Sequence, residues 1–463
     1  MNSFNLSSVS EIYFIGIGGV SMSALAKYCQ SLGKKVSGSE KKLSTKTQEL
    51  ENLGIRVNIG HKKENLKKAD CVCYTSAISE NNEEFLEAKK RRLTIVKRSE
   101  LLGAIAREYK TTIAISGSHG KTTTTSILAD ILILANKSPT VFLGGENKNF
   151  GNLYCESPLE KNVILVEACE YKKNFLDITP NISVVLNIDN DHLDSYKNIE
   201  EQVLAVEKFI SPSISFVNFD DVYAKKVVGD KIVKVGLEGD YIVTAKNITQ
   251  KREYQYFSLY YYGKRLGRIK TRLKGKHNIY NCLFAISVAL ELKIPFCFIK
   301  KAIEEFKGVS RRDEYMGEFM NKKVFVDYAH HPKELESLID SISDIENTIL
   351  VFQPHTYSRT KFLMADFIKV LSNVKGEVVI YKTYPAREKY DRNSSALALF
   401  RKLSKVKNAR YFKSKKGLIE YLEKVEKGKN IYLVGAGDVY EIAKILTTRK
   451  KLEKSGKKSL QKN

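Results

Sequence analysis

Along the first hundred residues, short unbroken apolar runs alternate with longer stretches in which apolar residues recur every three or four positions. "IYFIGIG" (12–18) leads into "SMSALAKYCQSLG" (21–33), then come "VSGSE" (36–40) and "CVCYTSAI" (71–78). This alternation predicts βαβ units on a parallel sheet. "EYKTTIAISGS" (108–118) begins again with a buried strand running into a glycine turn, so a boundary is expected near residue 108. "NVILVEA" (162–168) and "NISVVLNID" (181–189) are near-continuous apolar strands of the kind a doubly covered sheet needs. From about 212 to 274 the texture shifts to short alternating strands such as "EYQYFSLYYYG" (253–263), expected to form a small accessory sheet in which Tyr256, Tyr260 and Tyr262 pack. After "GVSRRDEYMG" (308–317) a third series runs through "KVFVDYA", "TILVFQP", "EVVIYKTYPA" and "NIYLVGAGD". The expectation is an α/β chain of three successive units, 1–108, 109–312 and 313–449, with a basic disordered tail at 450–463.

Composition narrows the classes. With 77 Lys and Arg against 53 Asp and Glu, the net charge is +24. The excess is mostly lysine spread along the whole chain, which reads as a solvated surface and not as a nucleic-acid stripe; it would also draw multiply charged anionic substrates. The seven cysteines are scattered with no C-x-x-C, so neither a disulfide frame nor a metal knuckle is expected, and a reducing compartment is. No run approaches a spanning helix and the start lacks the pattern of a signal peptide, so the protein is expected to stay in the cytoplasm without membrane insertion.

Two glycine turns follow predicted strands and precede predicted helices. The first, Gly16-Ile-Gly18-Gly19-Val20-Ser21 with Glu40 about twenty residues on, fits a pyrophosphate held on a helix N-terminus. Taken alone it also fits a nicotinamide dinucleotide. The second, Gly117-x-x-Gly120-Lys121-Thr122, is a contracted phosphate loop: glycines let amides close on oxygens, Lys121 brings a cation to the β/γ-phosphates, and the Thr122 hydroxyl can ligate Mg²⁺. ATP is the expected nucleotide. Glu167 and His192 follow strands whose carboxyl ends lie on the loop's edge of a parallel sheet, where Glu167 suits a metal ligand or a base. Arg311, Arg312 and Arg359 are able to grip phosphate or carboxylate in a bidentate manner.

These tracts, in this order, resemble the Mur ligases of bacterial cell-wall synthesis. The resemblance runs from about Ile12 to about Ala443 through "GIGGVSMSALA", "GSHGKTTTT", "VEACEY", "NIDNDHLD", "GKHNIYN", "GVSRRDEYMG", "DYAHHPKE", "FQPHTYSRT" and "YPAREK". It implies a three-domain architecture: a Rossmann-like N-terminal domain, a central P-loop ATPase-like domain and a Rossmann-like C-terminal domain. It also implies an activity, the ATP-dependent ligation of L-alanine to the carboxylate of UDP-N-acetylmuramate through an acyl phosphate.

By the same resemblance, Lys121 contacts the transferring phosphate, with Gly117, Gly120 and Thr123 completing the cradle, and Thr122, Glu167 and His192 hold Mg²⁺. His277, Asn278 and Asn281 match the block that reads adenine, and Arg312 and Asp327 the one that holds the nucleotide's phosphate and ribose. Tyr328, His330, His331, His355 and Arg359 shape the pocket for alanine and the muramoyl carboxylate. Gly16, Gly18, Gly19, Ser21 and Glu40 take the UDP pyrophosphate. Ser21, Glu40 and Thr356 stand where the family usually carries Gly, Asp and Arg, and the loop after Gly144 and Gly145 looks shortened. A ligase that recycles a whole tripeptide onto the same sugar nucleotide is the alternative within the family, and a nucleic-acid-stimulated ATPase the one outside it. A nicotinamide oxidoreductase leaves the loop at 117 unexplained. A monomer or weak homodimer, with no nucleic-acid partner, is expected.

Overall fold

The computed structural model describes residues 4–189 and 195–448. His192 and the expected tail at 450–463 therefore lie outside the described residues. The chain divides into two compact units, Met1–Val309 and Ser310–Asn463.

The first unit carries two sheets. Five parallel strands, β1 (Glu11–Ile15), β2 (Lys35–Glu40), β3 (Arg56–Ile59), β4 (Cys71–Tyr74) and β5 (Thr94–Lys97), are ordered β3-β2-β1-β4-β5. The helices α1 (Val20–Ser31), α2 (Thr45–Asn52), α3 (Glu83–Lys90) and α4 (Arg98–Arg107) connect or follow them. The order reverses beside β1, so the Gly16 turn opens at the switch point where ligands of such sheets bind.

The second sheet is built from β6 (Thr111–Ser116), β7 (Thr140–Asn147), β8 (Gly151–Tyr154), β9 (Val163–Glu167), β10 (Ile182–Val185), β11 (Ile214–Asn218) and β12 (Ile232–Val235). It continues without a break into β13 (Val243–Lys251), β14 (Tyr254–Tyr261) and β15 (Lys264–Thr271). The segment from 212 to 274 is thus not a separate accessory sheet. The pair Val235↔Val243 joins β13 to the parallel strands, and two antiparallel hairpins extend the same edge. Tyr262 also departs from expectation: it sits at the tip of the second hairpin with φ 47° and is 65% exposed. Around this sheet lie α5 (Lys121–Leu134), α6 (Ile199–Ile210), α7 (Lys276–Glu291) and α8 (Phe296–Glu305).

One apolar cluster runs from Phe14, Leu25 and Leu101 of the first sheet's layers to Phe142, Ile164 and Val185 of the second, which is why the two form one unit. Polar contacts lock the same seam. Asn152 donates to the Val20 carbonyl at 2.6 Å and to Ser23 Oγ at 2.9 Å, and the Tyr28 and Tyr109 hydroxyls meet at 2.9 Å. Cys29, Cys71 and Cys282 are buried, and burial pushes their thiols up to about 12, so they pack as small hydrophobes.

The second unit holds β16 (Glu314–Phe319), β17 (Lys322–Asp327), β18 (Thr348–Phe352), β19 (Glu377–Tyr381), β20 (Ala409–Phe412) and β21 (Asn430–Val434), in the order β16-β17-β21-β18-β19-β20. Only β16 runs antiparallel to its neighbour. The helices α9 (Pro332–Ser341), α10 (Tyr357–Phe362), α11 (Met364–Ser372), α12 (Ala396–Leu403) and α13 (Lys415–Lys424) flank it. β18 is buried along its whole length, as its unbroken apolar run requires. Among the described residues no helix is long and apolar enough to cross a membrane.

Candidate functional site

Three neighbouring parallel strands, β6, β9 and β7, end on one edge of the second sheet, and each delivers a functional group there. β6 runs into the loop Gly117–Gly120, which passes directly into α5 so that Lys121, Thr122 and Thr123 form its first turn. The loop is laced to the chain beyond β10: His119 N donates to Asn187 Oδ1 at 2.8 Å, Asn187 Nδ2 to the His119 carbonyl at 3.0 Å, and Asp189 N to Ser118 Oγ at 2.9 Å. Gly120 has φ 88°, and a Cβ there would stand 2.4 Å from Asn281 Oδ1, so only glycine fits. Asn281, buried on α7, accepts the Thr124 hydroxyl at 3.1 Å and donates to Asn278 Oδ1 at 2.9 Å. Asn278 and Asn281 therefore form the wall beside the loop, one turn into the helix that His277 helps to open.

Glu167 closes β9, and its carboxylate faces Thr122. Thr122 Oγ1 donates to Glu167 Oε2 at 3.1 Å, while Gly144 N of β7 donates to Oε1 at 2.8 Å. A Cβ on Gly145 would lie 2.7 Å from Thr122 Cγ2, so the two glycines of β7 are what leave room for this pair. A hydroxyl and a carboxylate, both hard oxygen donors, are the ligand chemistry Mg²⁺ takes.

Lys121 meets a carboxylate that sequence reasoning did not single out. Its Nζ is 3.1 Å from Glu170 Oε2 and also bonds the Gly117 carbonyl. Burial works against the Lys121 ammonium, but Glu170, Cys169 and Glu167 outweigh it and hold its pKa above the ordinary lysine value. Lys121 is therefore fully charged at neutral pH. The signal for Glu170 was present in "VEACEY", three residues after Glu167, but only the fold turns both toward the loop.

The first glycine turn forms a second cradle. Gly19 is the N-cap of α1, and Gly16 opens the turn with φ 82°. Glu40, at the end of β2, accepts the Gly18 amide at 3.1 Å. Ser21 accepts a hydrogen bond from Arg98 Nη1 at 3.1 Å, which brings the N-terminus of α4 to the turn. Lys46, on the first turn of α2, pairs with Glu49 at 2.9 Å and with Glu146 at 2.5 Å, and its neighbour Thr47 is the α2 residue that lies against Gly18. Neither Arg98 nor Lys46 was selected from sequence, because neither sits in a glycine motif.

In the second unit, Tyr328, His330, His355 and Arg359 come together. The His330 ring is 5.3 Å from Tyr328 and 5.7 Å from His355, and Arg359 Nη1 is 3.2 Å from His355 Nδ1. The Arg312 guanidinium lies 5.3 Å from the Tyr328 ring and 3.6 Å from Glu334, which also holds the His330 amide at 3.0 Å. Glu334 is another residue sequence reasoning missed. Asp327 is buried, accepts the Asp313 and Ala329 amides at 2.7 Å each, and is pushed up by burial despite Arg312. His331 is buried at the N-cap of α9. Thr356 is held at φ 64° and caps α10 by accepting the Arg359 amide at 3.4 Å. A β-branched residue in that conformation is strained, and the strain sits beside Arg359.

Three family models match in succession: "Mur ligase family, catalytic domain" over 11–110, "Mur ligase middle domain" over 115–289, and "Mur ligase, glutamate ligase domain" over 311–437. The UDP-N-acetylmuramate--L-alanine ligase of Aquifex aeolicus is 39% identical over 443 residues, covering 93% of this chain and 96% of its own length. That of Clostridium kluyveri strain NBRC 12016 is 39% identical over 464 residues, covering 96% of this chain and 99% of its own. The crystal structure of the UDP-N-acetylmuramate-alanine ligase of Thermotoga maritima superposes with a TM-score of 0.83 at 28% identity, covering 96% of this chain and 99% of that one.

Proposed function

The chain belongs to the Mur ligase family, and on that footing we propose that it joins L-alanine to the carboxylate of UDP-N-acetylmuramate, coupled to conversion of ATP to ADP and phosphate, in peptidoglycan precursor synthesis. It is an ATP-dependent carboxylate-amine ligase of three-domain α/β architecture. The observation that carries the reading is the convergence of Lys121, Thr122 and Glu167 on the edge where the Gly117 loop opens.

In this reaction the γ-phosphoryl group passes to the muramoyl carboxylate, the alanine amine attacks the acyl carbon, and phosphate leaves. The first step brings two anions together. Lys121, kept charged by its surroundings, stands where negative charge grows on the transferring group, and as a fixed cation it needs no water to reorganise. Mg²⁺, when bound, supplies further charge neutralisation; Thr122 and Glu167 would hold it, with His192 as the third ligand. His277, Asn278 and Asn281 serve adenine, while Gly117, Gly120 and Thr123 shape the phosphate cradle. Arg312 and Asp327 serve the nucleotide's phosphate and ribose. Tyr328, His330, His331, His355 and Arg359 serve alanine and the reacting carboxylate. The turn of Gly16, Gly18, Gly19 and Ser21, with Glu40, holds the UDP pyrophosphate at the N-terminus of α1. The domain limits assigned are 1–108, 109–312 and 313–449. The protein acts in the cytoplasm as a monomer or weak homodimer, without nucleic acid.

Phosphate release from ATP and Mg²⁺, measured with UDP-N-acetylmuramate and in turn L-alanine, glycine, L-serine and a tripeptide, tests the reading. Release that requires both the sugar nucleotide and L-alanine is expected. Release with the tripeptide alone among the amines would assign the chain to peptide recycling instead.

A further inference from the structure

Glu170 is 1% exposed and lies inside the phosphate loop. One carboxylate oxygen accepts the Ser116 hydroxyl at 2.8 Å and the Gly117 amide; the other is 3.1 Å from the Lys121 ammonium. An amide, a hydroxyl and a lysine converging on one anionic oxygen pair is the donor set that phosphate loops offer to phosphate. The placement of Glu170 is fixed from behind. Its carbonyl accepts the Tyr196 hydroxyl at 2.7 Å and the Lys173 amide at 2.9 Å. Two successive residues after it, Lys172 and Lys173, are held at φ 50° and 58°, a conformation non-glycine residues adopt only where the surroundings impose it.

We propose that Glu170 is a positioning residue for the phosphoryl transfer, occupying the donors of the nucleotide-free cradle and keeping the Lys121 ammonium aimed at the phosphates of ATP once they enter. The inference rests on the phosphate-loop reading above and adds to it a residue with two opposed effects. As a buried anion beside a tetra-anionic nucleotide, Glu170 weakens ATP binding. As the partner that aims Lys121, it speeds the chemical step. A residue of merely structural importance would have no reason to oppose binding.

Glu170→Gln separates the two effects, because the amide oxygen is still able to accept the Gly117 amide while the charge is gone. With ATP as the varied substrate, KM for ATP and the Kd of a non-hydrolysable ATP analogue are expected to fall about tenfold, as removal of one nearby charge implies. The value of kcat is expected to fall about 10- to 100-fold as Lys121 loses its guide. An unchanged or raised KM and Kd would overturn the inference while leaving the ligase reading intact. Wild-type protein that binds no analogue at all would overturn both. If Glu170→Gln does not yield folded protein by circular dichroism, Glu170→Asp keeps the charge on a shorter arm. It is expected to lower kcat with KM for ATP within about twofold of wild type, and a large rise in KM with kcat intact would overturn the proposal.

Discussion

The Thr122 hydroxyl donates to the Glu167 carboxylate at 3.1 Å, although 45 positions separate the two residues in sequence. The contact exists because β6 and β9 are adjacent and parallel, with Ile115 opposite Glu167, so the residues that follow one strand face the last residue of the other. If this pair holds the divalent ion, Glu167→Gln weakens it selectively. The Mg²⁺ concentration for half-maximal phosphate release is expected to rise about 10- to 100-fold, with the Kd for UDP-N-acetylmuramate within about twofold. An unshifted Mg²⁺ titration would remove Glu167 from the ion's ligands.

Lys121 has a different role from the ion and a separate signature. Lys121→Ala removes the ammonium that bonds the Gly117 carbonyl and Glu170 at the loop, so kcat for phosphate release is expected to fall by about three orders of magnitude. Binding of UDP-N-acetylmuramate by calorimetry is expected to stay near wild type, because the Gly16 turn is built on β1 and α1 and not on α5. Loss of both together would show that the two cradles are not independent.

Much of this was legible in the sequence, and the reasons are local. The Gly117 and Gly16 turns announce themselves because strand, glycine and helix signals fall within a dozen residues. Glu167 was legible as the last residue of an apolar run. Glu170, Glu334, Arg98 and Asn187 were not, because each acts through a partner that only the fold supplies: Lys121, His330, Ser21 and His119 in turn. The strands from 243 to 271 were legible as strands, but their attachment rests on the single pair Val235↔Val243, which leaves no pattern in sequence. Both cradles also share a feature no motif predicts. In each, a glutamate accepts an amide of the glycine turn, Glu40 that of Gly18 and Glu170 that of Gly117.

Ser21 gives the first cradle a testable difference from the family's usual glycine. Its hydroxyl holds Arg98 at 3.1 Å, so Ser21→Ala frees a guanidinium beside the pyrophosphate turn without touching the turn's backbone. A hydrogen bond to a well-buried charged group contributes about 1.5 to 3 kcal/mol, but this one is only partly buried, so the about 0.5 to 1.5 kcal/mol of an ordinary hydrogen bond applies. KM for UDP-N-acetylmuramate is expected to rise about 3- to 10-fold with kcat changed less than twofold. A fall in kcat at constant KM would instead place Ser21 in the chemistry.

Stability has its own marker in Glu84, a fully buried carboxylate beneath the first sheet. It accepts the Tyr13 hydroxyl at 2.7 Å, Ser39 Oγ at 2.5 Å and Asn65 Nδ2 at 2.7 Å, with His61 Nδ1 at 3.1 Å. Burial alone would raise its pKa, but the hydrogen bonds from His61, Ser39, Asn65 and Tyr13 outweigh burial and hold it below the ordinary glutamate value. A carboxylate depressed in the folded state contributes stability above its unfolded pKa of about 4.3 and loses it as the pH falls through the folded value. Glu84→Gln turns an amide NH₂ toward groups that are themselves donors, leaving buried donors unsatisfied at a cost of about 2 to 4 kcal/mol. At pH 7 the melting temperature is expected to drop by about 4 to 10 °C. Below about pH 4.3, where protonation progressively neutralises the wild-type carboxylate, the gap between the two proteins is expected to narrow. A gap that stays constant from pH 7 to pH 3 in scanning calorimetry would mean that the charge on Glu84 contributes nothing to the fold.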